Sequence, residues 1–524
     1  MLTSLIRYAT TIRYLKLRQI VFRVWRRIHR PKPDLRSAPG LQAPSAVWAA
    51  YTRTSSMTGP DTFTLLNVAH RIESEADWNH PQWPKLWLYN LHYFDDLNAM
   101  GAAQREAWHA ALIQRWIAEN PPGNGNGWEP YPCSLRIVNW VQWAWAGNRL
   151  DDKAVHSLAV QTRWLAARLE YHLLGNHLWA NAKALCFAGL FFGGNEGARW
   201  FSKGCRLLFR ELREQILSDG GHFERSPMYH AIILADVLDL IQLSRCFPGR
   251  LDASLIHTLQ DTAQRMRHWL QLMSHPDGDI AFFNDATLGV APTPAALEDY
   301  ARELGLQPIA SLPDGVSHLP NSGFIRVQNA RTVLLADVGA VAPNYIPGHA
   351  HAGTLSFELS LDGRRVLVNS GISTYENDAE RLRQRGTAAH NTVQVADRDS
   401  SEVWSAFRVA RRVRTVTVEV HDNLATPCVE AQHNGYRRLG IRHQRTWRLL
   451  ADGLEVRDRL HGSEQPAVAY FHWAPAADAV TMCTDGARST EDTTWHPGFN
   501  CQEPTRREAV AFTRELLTEF RWNP

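Results

Sequence analysis

Residues 322–338, SGFIRVQNARTVLLADV, stand where the hydrophobic pattern of the chain changes. From about residue 320 onward, apolar and polar side chains follow a period of two, which is typical of β-strands. Turn signals such as Asp362-Gly363 and Asp452-Gly453 separate these segments. From about residue 100 to 305 the apolar residues follow the helical period instead, with loops of glycine, proline or asparagine between them. Helices followed by strands predict an α+β protein with two separate domains.

These changes divide the 524-residue chain into three parts. Residues 1–45 are predicted to form a basic helix and a proline-marked linker, residues 46–310 a helical domain, and residues 311–524 an antiparallel, sandwich-like sheet domain. Because the loops between the long helices are short, successive helices are expected to be antiparallel neighbours.

The composition is that of a globular protein, with 44% hydrophobic and 21% charged residues. A formal net charge of +3 is too small to indicate a nucleic-acid partner. Seven cysteines without a CxxC pair argue against a disulfide framework and fit a reducing compartment. The chain has no run of roughly 18 apolar residues and no signal-peptide core, so no transmembrane segment is expected. The cytoplasm or the periphery of the inner membrane is favoured, with the periplasm as the alternative.

Residues 2–30 are strongly basic. They contain eight arginine or lysine residues interleaved with apolar residues, and the first acidic residue, Asp34, comes after them. A basic amphipathic helix can lie on an anionic membrane surface, or it can pack on the domain that follows. The sequence leaves both interpretations open, so residues 2–30 are a candidate for peripheral membrane contact.

Three short clusters combine side chains that can transfer protons. Asn176 and His177 stand at the start of a predicted helix, where Asn176 also suits an N-cap. In the block of residues 219–230, a glycine turn leads into another helix and carries Glu224 and Tyr229. A tyrosine near a basic group can act as a proton donor or acceptor.

The third and densest cluster is PGHAHAG, residues 347–353. If this segment is extended, His349 and His351 point to the same side, which suits a metal site or one ligand beside a catalytic base. Asn369, Tyr375 and His390 follow on later segments, so three histidines could converge.

The sequence gives little support for other common classes of enzyme chemistry. The sequence has no GxGxxG after a strand, no Walker loop, no HExxH and no GxSxG, and it points to no organic cofactor. Carboxylates near loops leave paired-carboxylate glycoside hydrolysis open; they are Glu129, Glu224, Asp279 and Asp285.

Taken together, the clusters resemble the heparinase II/III-like family of bacterial polysaccharide lyases. The matching stretches follow the family's order: GNH at 175–177, the DGG to YH block at 219–230, GHAHAGTLSFEL at 348–359, VNSG at 368–371 and TAAHNTV at 387–393. The resemblance covers roughly residues 80–410. It implies an incomplete (α/α) toroid followed by antiparallel sheet layers, with the active site in the cleft between them.

The resemblance also implies the chemistry, which is β-elimination on a uronate. The C5 proton is removed, the C4 oxygen leaves, and hydrogen-bond donors stabilise the developing enolate. Asn176 and His177 match the residues that bind the carboxylate, and Tyr229 matches the proton donor, which in the family can also be the base. His349 matches a base used for some epimers, and Tyr375 matches a second tyrosine less closely, because loop lengths differ there.

A substrate-binding set is predicted beside these catalytic residues. Trp128 and Trp179 lie next to loop signals and are expected to stack on sugar rings, although a buried tryptophan is the commoner case. Glu129, Arg136 and Glu224 complete the set.

Several members of the family hold a structural zinc ion through His, Asp and His. His351 and His390 match the two histidines, but Asn369 stands where the family usually has Asp. Asn is a neutral and weak zinc ligand, so we expect zinc binding to be weakened or lost.

The sequence therefore predicts a polysaccharide lyase that acts on an acidic, uronate-containing polymer, heparin-like or a bacterial exopolysaccharide. Two alternatives stay open: a polymer-binding protein of exopolysaccharide assembly without lyase activity, and an (α/α)-toroid glycoside hydrolase. Neither the polymer nor endo versus exo cleavage follows from the sequence.

Overall fold

The long helices of the protein precede the main sheets along the chain, as the change of pattern predicts, and one short helix lies among the later strands. The computed structural model describes residues 2–51, 53–475 and 477–523. Its α-helices are α1 (Leu2–Ile12), α2 (Leu17–Ile28), α3 (Lys85–Leu91), α4 (Glu106–Glu119), α5 (Pro130–Trp145), α6 (Asp152–Ala167), α7 (Gly175–Phe191), α8 (Gly194–Gln215), α9 (Pro227–Cys246), α10 (Ala253–Leu272), α11 (Pro294–Glu303) and α12 (Ala379–Arg385).

The long helices form an inner and an outer row. Helices α5, α7 and α9 pack on one another, while α6, α8 and α10 each pack against the helix that precedes them. Helix α7 is therefore buried on nearly all sides. Its Gly189 lies so close to α8 that an added Cβ would stand 2.4 Å from the backbone nitrogen of Phe201. This double row is the arrangement of an incomplete (α/α) toroid. Its inner helices run parallel to each other, because they alternate with antiparallel neighbours.

A small sheet, which the sequence pattern did not predict, precedes these helices. Its strands are β1 (Met57–Gly59), β2 (Thr62–Leu65) and β3 (Val68–Arg71), paired antiparallel. Strands of three or four residues are too short to show a clear period of two. The turn between β2 and β3 consists of Leu66 and Asn67, both with positive φ, as a tight hairpin turn requires.

The remaining strands follow residue 310 and form three larger antiparallel sheets. The first sheet has the order β4-β5-β6-β7-β8, the second β18-β19-β16-β9, and the third β12-β13-β14-β15-β20-β17, while β10 and β11 form a separate pair. The strands are β4 (Gly315–Leu319), β5 (Phe324–Gln328), β6 (Thr332–Asp337), β7 (Phe357–Leu361), β8 (Arg364–Leu367), β9 (Val393–Val395), β10 (Val403–Trp404), β11 (Arg408–Val409), β12 (Val416–His421), β13 (Cys428–His433), β14 (Ile441–Leu449), β15 (Gly453–Gly462), β16 (Ala467–His472), β17 (Thr481–Thr484), β18 (Ala487–Trp495), β19 (Glu503–Phe512) and β20 (Glu515–Arg521).

The three sheets share one core. The ring of Phe357, from the first sheet, lies 6.3 Å from that of Phe471 in the second and 6.4 Å from those of Trp447 and Phe520 in the third. The stretch 322–338 forms the β5–β6 hairpin, with Phe324 opposite Asp337. The two faces of this hairpin pack on the sheet core and on the helical part, which explains its nearly continuous apolar run.

Candidate active site

The start of α9 positions Tyr229. Ser226 caps the helix, since its hydroxyl accepts a hydrogen bond from the backbone N–H of Tyr229 at 3.2 Å, and Pro227 occupies the first turn. Ser226 Oγ also donates to the carbonyl of Asp285 at 2.5 Å. The SPMYH block therefore holds Tyr229 on the first turn of α9 and ties it to the loop that carries Asp285.

Asp285 is the centre of a buried charge network. Arg381 donates to both of its carboxylate oxygens, at 2.5 and 2.6 Å. His349 Nδ1 lies 2.7 Å and His351 Nε2 2.8 Å from the same carboxylate. Although burial favours the neutral form, Arg381 and the two histidines hold the pKa of Asp285 well below its ordinary value. An ionised Asp285 keeps the proton of His349 on Nδ1, so Nε2 carries the free lone pair.

The reacting groups lie beside this network. The ring of His349 stacks on that of Tyr229 with centroids 4.0 Å apart, and the hydroxyl of Tyr229 lies 3.2 Å from that of Tyr375. The Arg381 guanidinium covers the Tyr375 ring at 4.8 Å. Burial raises the pKa of both tyrosines well above the ordinary value, so both phenols stay protonated at neutral pH.

Asn176 and His177 begin α7, the inner helix that packs beside α9. His177 Nδ1 lies 3.2 Å from Glu170 Oε1, and its ring packs on Tyr131 with centroids 4.5 Å apart. Although burial opposes the charged form, the carboxylates of Glu170, and then Glu224, raise the pKa of His177. The imidazolium of His177 is therefore available near neutral pH.

Glu224 links the start of α7 to His349. Its Oε1 accepts the backbone N–H of Asn176 at 3.4 Å, and its Oε2 lies 3.6 Å from His349 Nε2. The side chain is 1% exposed, and Oε2 has no hydrogen-bond partner among the described residues. Burial raises the pKa of Glu224. Asn176 and His349, 173 positions apart, therefore contact the same carboxyl group, as a shared site requires.

Strained backbone surrounds these groups. Leu174, Arg225 and Asn284 all have positive φ, between 56° and 69°, although none is a glycine. Asn284 donates to the carbonyl of Arg225 at 2.7 Å and accepts from the backbone N–H of His351 at 3.0 Å. Such strain is typical of functional sites, where the surrounding structure holds it in place.

A cavity of about 620 Å³ opens beside Asn176 and Tyr131. It contains two ion pairs, Arg53–Asp95 at 2.6 Å and Lys183–Asp236. The carboxylates are the more exposed partners. The Asp95 side chain is 40% exposed and that of Asp236 17%, against 16% for Arg53 and 6% for Lys183. The cavity therefore has little excess positive charge.

Three predicted substrate contacts are wrong. Trp128 is 2% exposed and Trp179 is fully buried. Their indole N–H groups bond the Asn120 carbonyl and Asp236, respectively, so neither ring is free to stack on a sugar. Arg136 is also fully buried. Its guanidinium bonds Gln161 and backbone carbonyls inside the helical domain.

Glu129 and Glu224, the remaining predicted substrate contacts, have different surroundings. Glu129 is partly exposed and pairs with Lys85 at 2.9 Å, and its role in binding stays a prediction. Glu224 lies inside the site, as described above.

The predicted metal ligands His351 and His390 lie together, with His351 Nδ1 and His390 Nε2 3.0 Å apart. The far ring nitrogen of each histidine, the one turned away from the other ring, faces an oxygen acceptor. His351 Nε2 faces Asp285 Oδ1, and His390 Nδ1 lies 2.7 Å from the Gly386 carbonyl. In neutral rings the far nitrogens carry the protons, so two lone pairs face each other. Burial lowers the pKa of His351 to about 4 and that of His390 to about 3, which disfavours an extra proton between them.

The donor set therefore fits a cation in part. The third position, Asn369, already accepts the backbone N–H of Asn391 at 3.2 Å, and its amide nitrogen has no partner in the described part of the chain. Among the described residues, no three His, Cys, Asp or Glu side chains are grouped to hold a metal. We propose that the two histidines bind zinc weakly, with Asn369 as a poor third ligand.

The sequence patterns missed four residues that shape the site: Tyr131, Glu170, Asp285 and Arg381. The sequence indicates Asp285 only as one possible carboxylate of a hydrolase pair. Its one local signal is its place two residues after the buried run IAFF at 280–283. Arg381 carries no local signal, because its partner Asp285 lies 96 positions away in sequence. Glu170 lies only seven positions before its partner His177, but no motif marks it.

Family models match most of the chain. The model described as "Heparinase II/III N-terminus" matches residues 12–302, and "Heparinase II/III-like, C-terminal" matches residues 312–514. The chain belongs to the heparinase II/III-like family. The predicted family is thus confirmed.

Proteins with similar sequences include FtsZ-localized protein C of Caulobacter vibrioides, 26% identical over 72% of this chain and 64% of that protein. A heparin-sulfate lyase of Bacteroides stercoris is 24% identical over 66% of this chain and 52% of that enzyme. The chain thus spans less than two thirds of the length of either relative.

The crystal structure of heparinase III superposes with a TM-score of 0.68, at 18% identity, over 84% of this chain and 78% of that chain. This superposition confirms the predicted fold class, an (α/α) toroid followed by antiparallel sheets.

Proposed function

We propose that this heparinase II/III-like protein is a polysaccharide lyase that cleaves a uronate-containing polymer by β-elimination. The observation that carries the proposal is the convergence of Asn176, His177, Tyr229 and His349 on one cleft through Glu224 and Asp285. The names of the Bacteroides relative and of heparinase III support the same class of reaction.

The surroundings of His349 and Tyr229 favour one division of the two proposed proton transfers. His349 Nε2, with its lone pair free, takes the C5 proton of the uronate. The electron pair of the C5–H bond forms the C4–C5 double bond, and the C4–O bond breaks. Tyr229, whose raised pKa keeps it protonated, gives its proton to the leaving oxygen. A buried phenol is a poor base, so this division favours His349 as base and Tyr229 as acid.

Asn176 and His177 bind the uronate carboxylate in this scheme. The charged imidazole of His177 offsets the negative charge that grows on the carboxylate as C5 loses its proton. Tyr131, Asn176 and Tyr229 all lie on the first turns of the parallel inner helices α5, α7 and α9. The positive ends of three helix dipoles therefore meet at the anionic group.

The cavity charges point to a weakly charged polymer. Arg53 and Lys183 are neutralised by more exposed carboxylates, so densely sulfated chains would meet Asp95 and Asp236 instead of free cations. We therefore favour an unsulfated uronate polymer over heparin as substrate.

The site offers little support for hydrolysis. A hydrolase needs one protonated and one free carboxylate. Asp285 is bound on both oxygens by Arg381 and by two histidines, which leaves it no capacity to attack a sugar or activate water.

The test is incubation of the purified full chain with a panel of uronate polymers: hyaluronan and alginate as unsulfated members, and heparin as the sulfated one. Elimination produces a C4–C5 double bond that is conjugated to the carboxylate and absorbs ultraviolet light. Hydrolysis produces no such double bond. We expect absorbance to rise with an unsulfated polymer. New reducing ends without absorbance would identify a hydrolase, and binding without cleavage would identify a polymer-binding protein.

A further inference from the structure

Helix α2 has its apolar side turned outward. Six apolar residues occupy one arc of about 140° around the helix, and each is between 40 and 75% exposed: Leu17, Ile20, Val21, Val24, Trp25 and Ile28. A helix on a protein surface normally buries its apolar stripe and exposes its polar one. Here the orientation is reversed.

The inner side of α2 holds the helix in this orientation through polar and aromatic contacts. Gln19 is buried and donates to the carbonyls of Leu173 and Tyr345 at 3.3 and 3.2 Å. Arg18 lies over the ring of Tyr171 at 4.1 Å, and Phe22 packs on the same ring at 4.7 Å. Because these contacts hold the opposite side, the apolar arc remains free.

Helix α1 extends the same kind of surface. Leu5 and Ile12, two helical turns apart, are 63 and 51% exposed, whereas the ring of Tyr8 packs on that of Trp404 with centroids 4.8 Å apart. On the other side of α1, Arg7 pairs with Glu402 at 2.7 Å and Thr11 contacts the indole of Trp404 at 3.3 Å. Both helices therefore dock on the domains through polar side chains together with one aromatic ring each, Tyr8 and Phe22, and present their other exposed apolar side chains outward.

The charges around the apolar arc are positive. Arg23 and Arg27 flank it on α2, and Arg30 follows the helix; all three are exposed, and none has an ion-pair partner within the part of the chain that the structure describes. No acidic residue precedes Asp34. An apolar arc bordered by arginines has the chemistry of a helix that lies in the headgroup layer of an anionic bilayer.

We propose that α1 and α2 dock the protein on an anionic membrane surface, with the apolar arc among the lipid chains and Arg23, Arg27 and Arg30 at the phosphates. The proposed contact lies along the surface of the bilayer, and no helix in the described residues could cross a membrane. The face of α2 that contacts residues 171–173 and Tyr345 lies next to the loops that lead to His177 and His349. The bilayer therefore lies on the far side of α2 from the cleft.

The test is flotation of the full chain with vesicles of phosphatidylcholine alone or mixed with phosphatidylglycerol. We expect binding to the mixed vesicles that weakens with salt, since each arginine near such a surface contributes roughly a fivefold gain in partitioning. Val21→Asp with Val24→Asp should lower binding at least tenfold, because it places charges in the lipid-facing arc. Both side chains are about half exposed, so folding should survive.

A matched control is Val47→Asp with Leu424→Asp, which adds the same charges at residues that are 71 and 72% exposed outside both helices. The control should bind like the wild type. Failure of the wild type to bind the mixed vesicles would overturn the proposal, and so would equal loss in both double variants. Sedimentation of a dimer that Val21→Asp with Val24→Asp dissociates, without vesicle binding, would assign the arc to a second copy of the chain instead.

Discussion

Individual side chains in this site owe their chemical state to their neighbours. Asp285 holds His349 in the tautomer that leaves Nε2 unprotonated, and burial keeps Tyr229 protonated. His349 and Tyr229, which we propose as base and acid, thus lie with rings 4.0 Å apart. A one-site elimination needs an acid and a base close to each other.

The first residue-scale prediction concerns Tyr229→Phe. The change removes only the hydroxyl, so turnover should fall by about 10²- to 10⁴-fold while the protein still folds. Turnover is followed by ultraviolet absorbance and folding by thermal unfolding. Tyr436→Phe removes another buried hydroxyl, one that donates to the Val393 carbonyl at 2.6 Å in the sheet domain, and should leave turnover unchanged. Near-normal turnover in Tyr229→Phe would remove this residue from the mechanism.

A second prediction concerns pH and His177. Because its pKa is raised above the ordinary value, the imidazolium persists above pH ~6.5 and is lost only as the pH rises past the folded-state pKa. We expect kcat/KM to fall on that alkaline side. His177→Gln keeps a hydrogen-bond donor but does not titrate, so its kcat/KM should be lower and this alkaline fall should disappear. An unchanged alkaline fall in the variant would assign it to another group.

At the scale of elements, helix starts and loops supply the site. The inner helices α5, α7 and α9 begin at the same end of the toroid, and α12 brings Arg381 to Asp285 from the sheet side. The loop of residues 347–353 is not a strand, yet His349 and His351 both reach Asp285, because the carboxylate lies between their rings. The site therefore forms only when both domains are folded and in contact.

The metal prediction belongs to the segments that carry His351, Asn369 and His390. Asn369→Asp gives this candidate zinc site an anionic ligand in place of a neutral one, so the affinity for zinc should rise at least about tenfold. Elemental analysis after dialysis against a chelator should find one zinc per chain in the variant and less than one in the wild type. His390→Ala in the Asn369→Asp background should abolish the gain. One zinc tightly retained by the wild type would show that Asn369 is a sufficient ligand.

At the scale of the whole molecule, two hydrogen bonds donated by asparagine side chains connect a segment near the start of the chain with a segment near its end. Asn67 donates to the Phe499 carbonyl, and Asn500 donates to the Leu66 carbonyl, both at 2.9 Å. Phe499 lines the cavity and packs on Tyr375 with ring centroids 4.9 Å apart. The β2–β3 hairpin thus fixes one wall of the cavity against the sheet domain.

We predict that Asn67→Ala with Asn500→Ala raises KM severalfold, with a smaller change in kcat, because Phe499 loses its support. Each lost bond should lower the free energy of unfolding by roughly 1 kcal/mol. Steady-state kinetics and denaturant unfolding measure the two effects. Asn423→Ala removes a side-chain hydrogen bond within a single turn. It is the control for the loss of an asparagine side chain. An unchanged KM in the double variant would show that the wall does not contact substrate.

Much of the architecture was predictable from the sequence, because it depends on local patterns. The change from helical to strand period separates the helices from the three larger sheets, and the short blocks at 175–177, 219–230 and 348–359 contain Asn176, Tyr229 and His349. Helix caps, turns and neighbouring side chains are encoded within a few residues, so they are readable without the fold.

Tertiary structure decided what depends on distant partners. Asp285 follows an ordinary buried run, and only the fold brings Arg381, 96 positions later, to both of its oxygens. The burial of Trp128, Trp179 and Arg136 is likewise a property of packing between helices. The sequence shows that α2 is amphipathic, but periodicity defines a face without giving its direction. Contacts of Gln19, Phe22 and Arg18 with distant loops turn the apolar face outward.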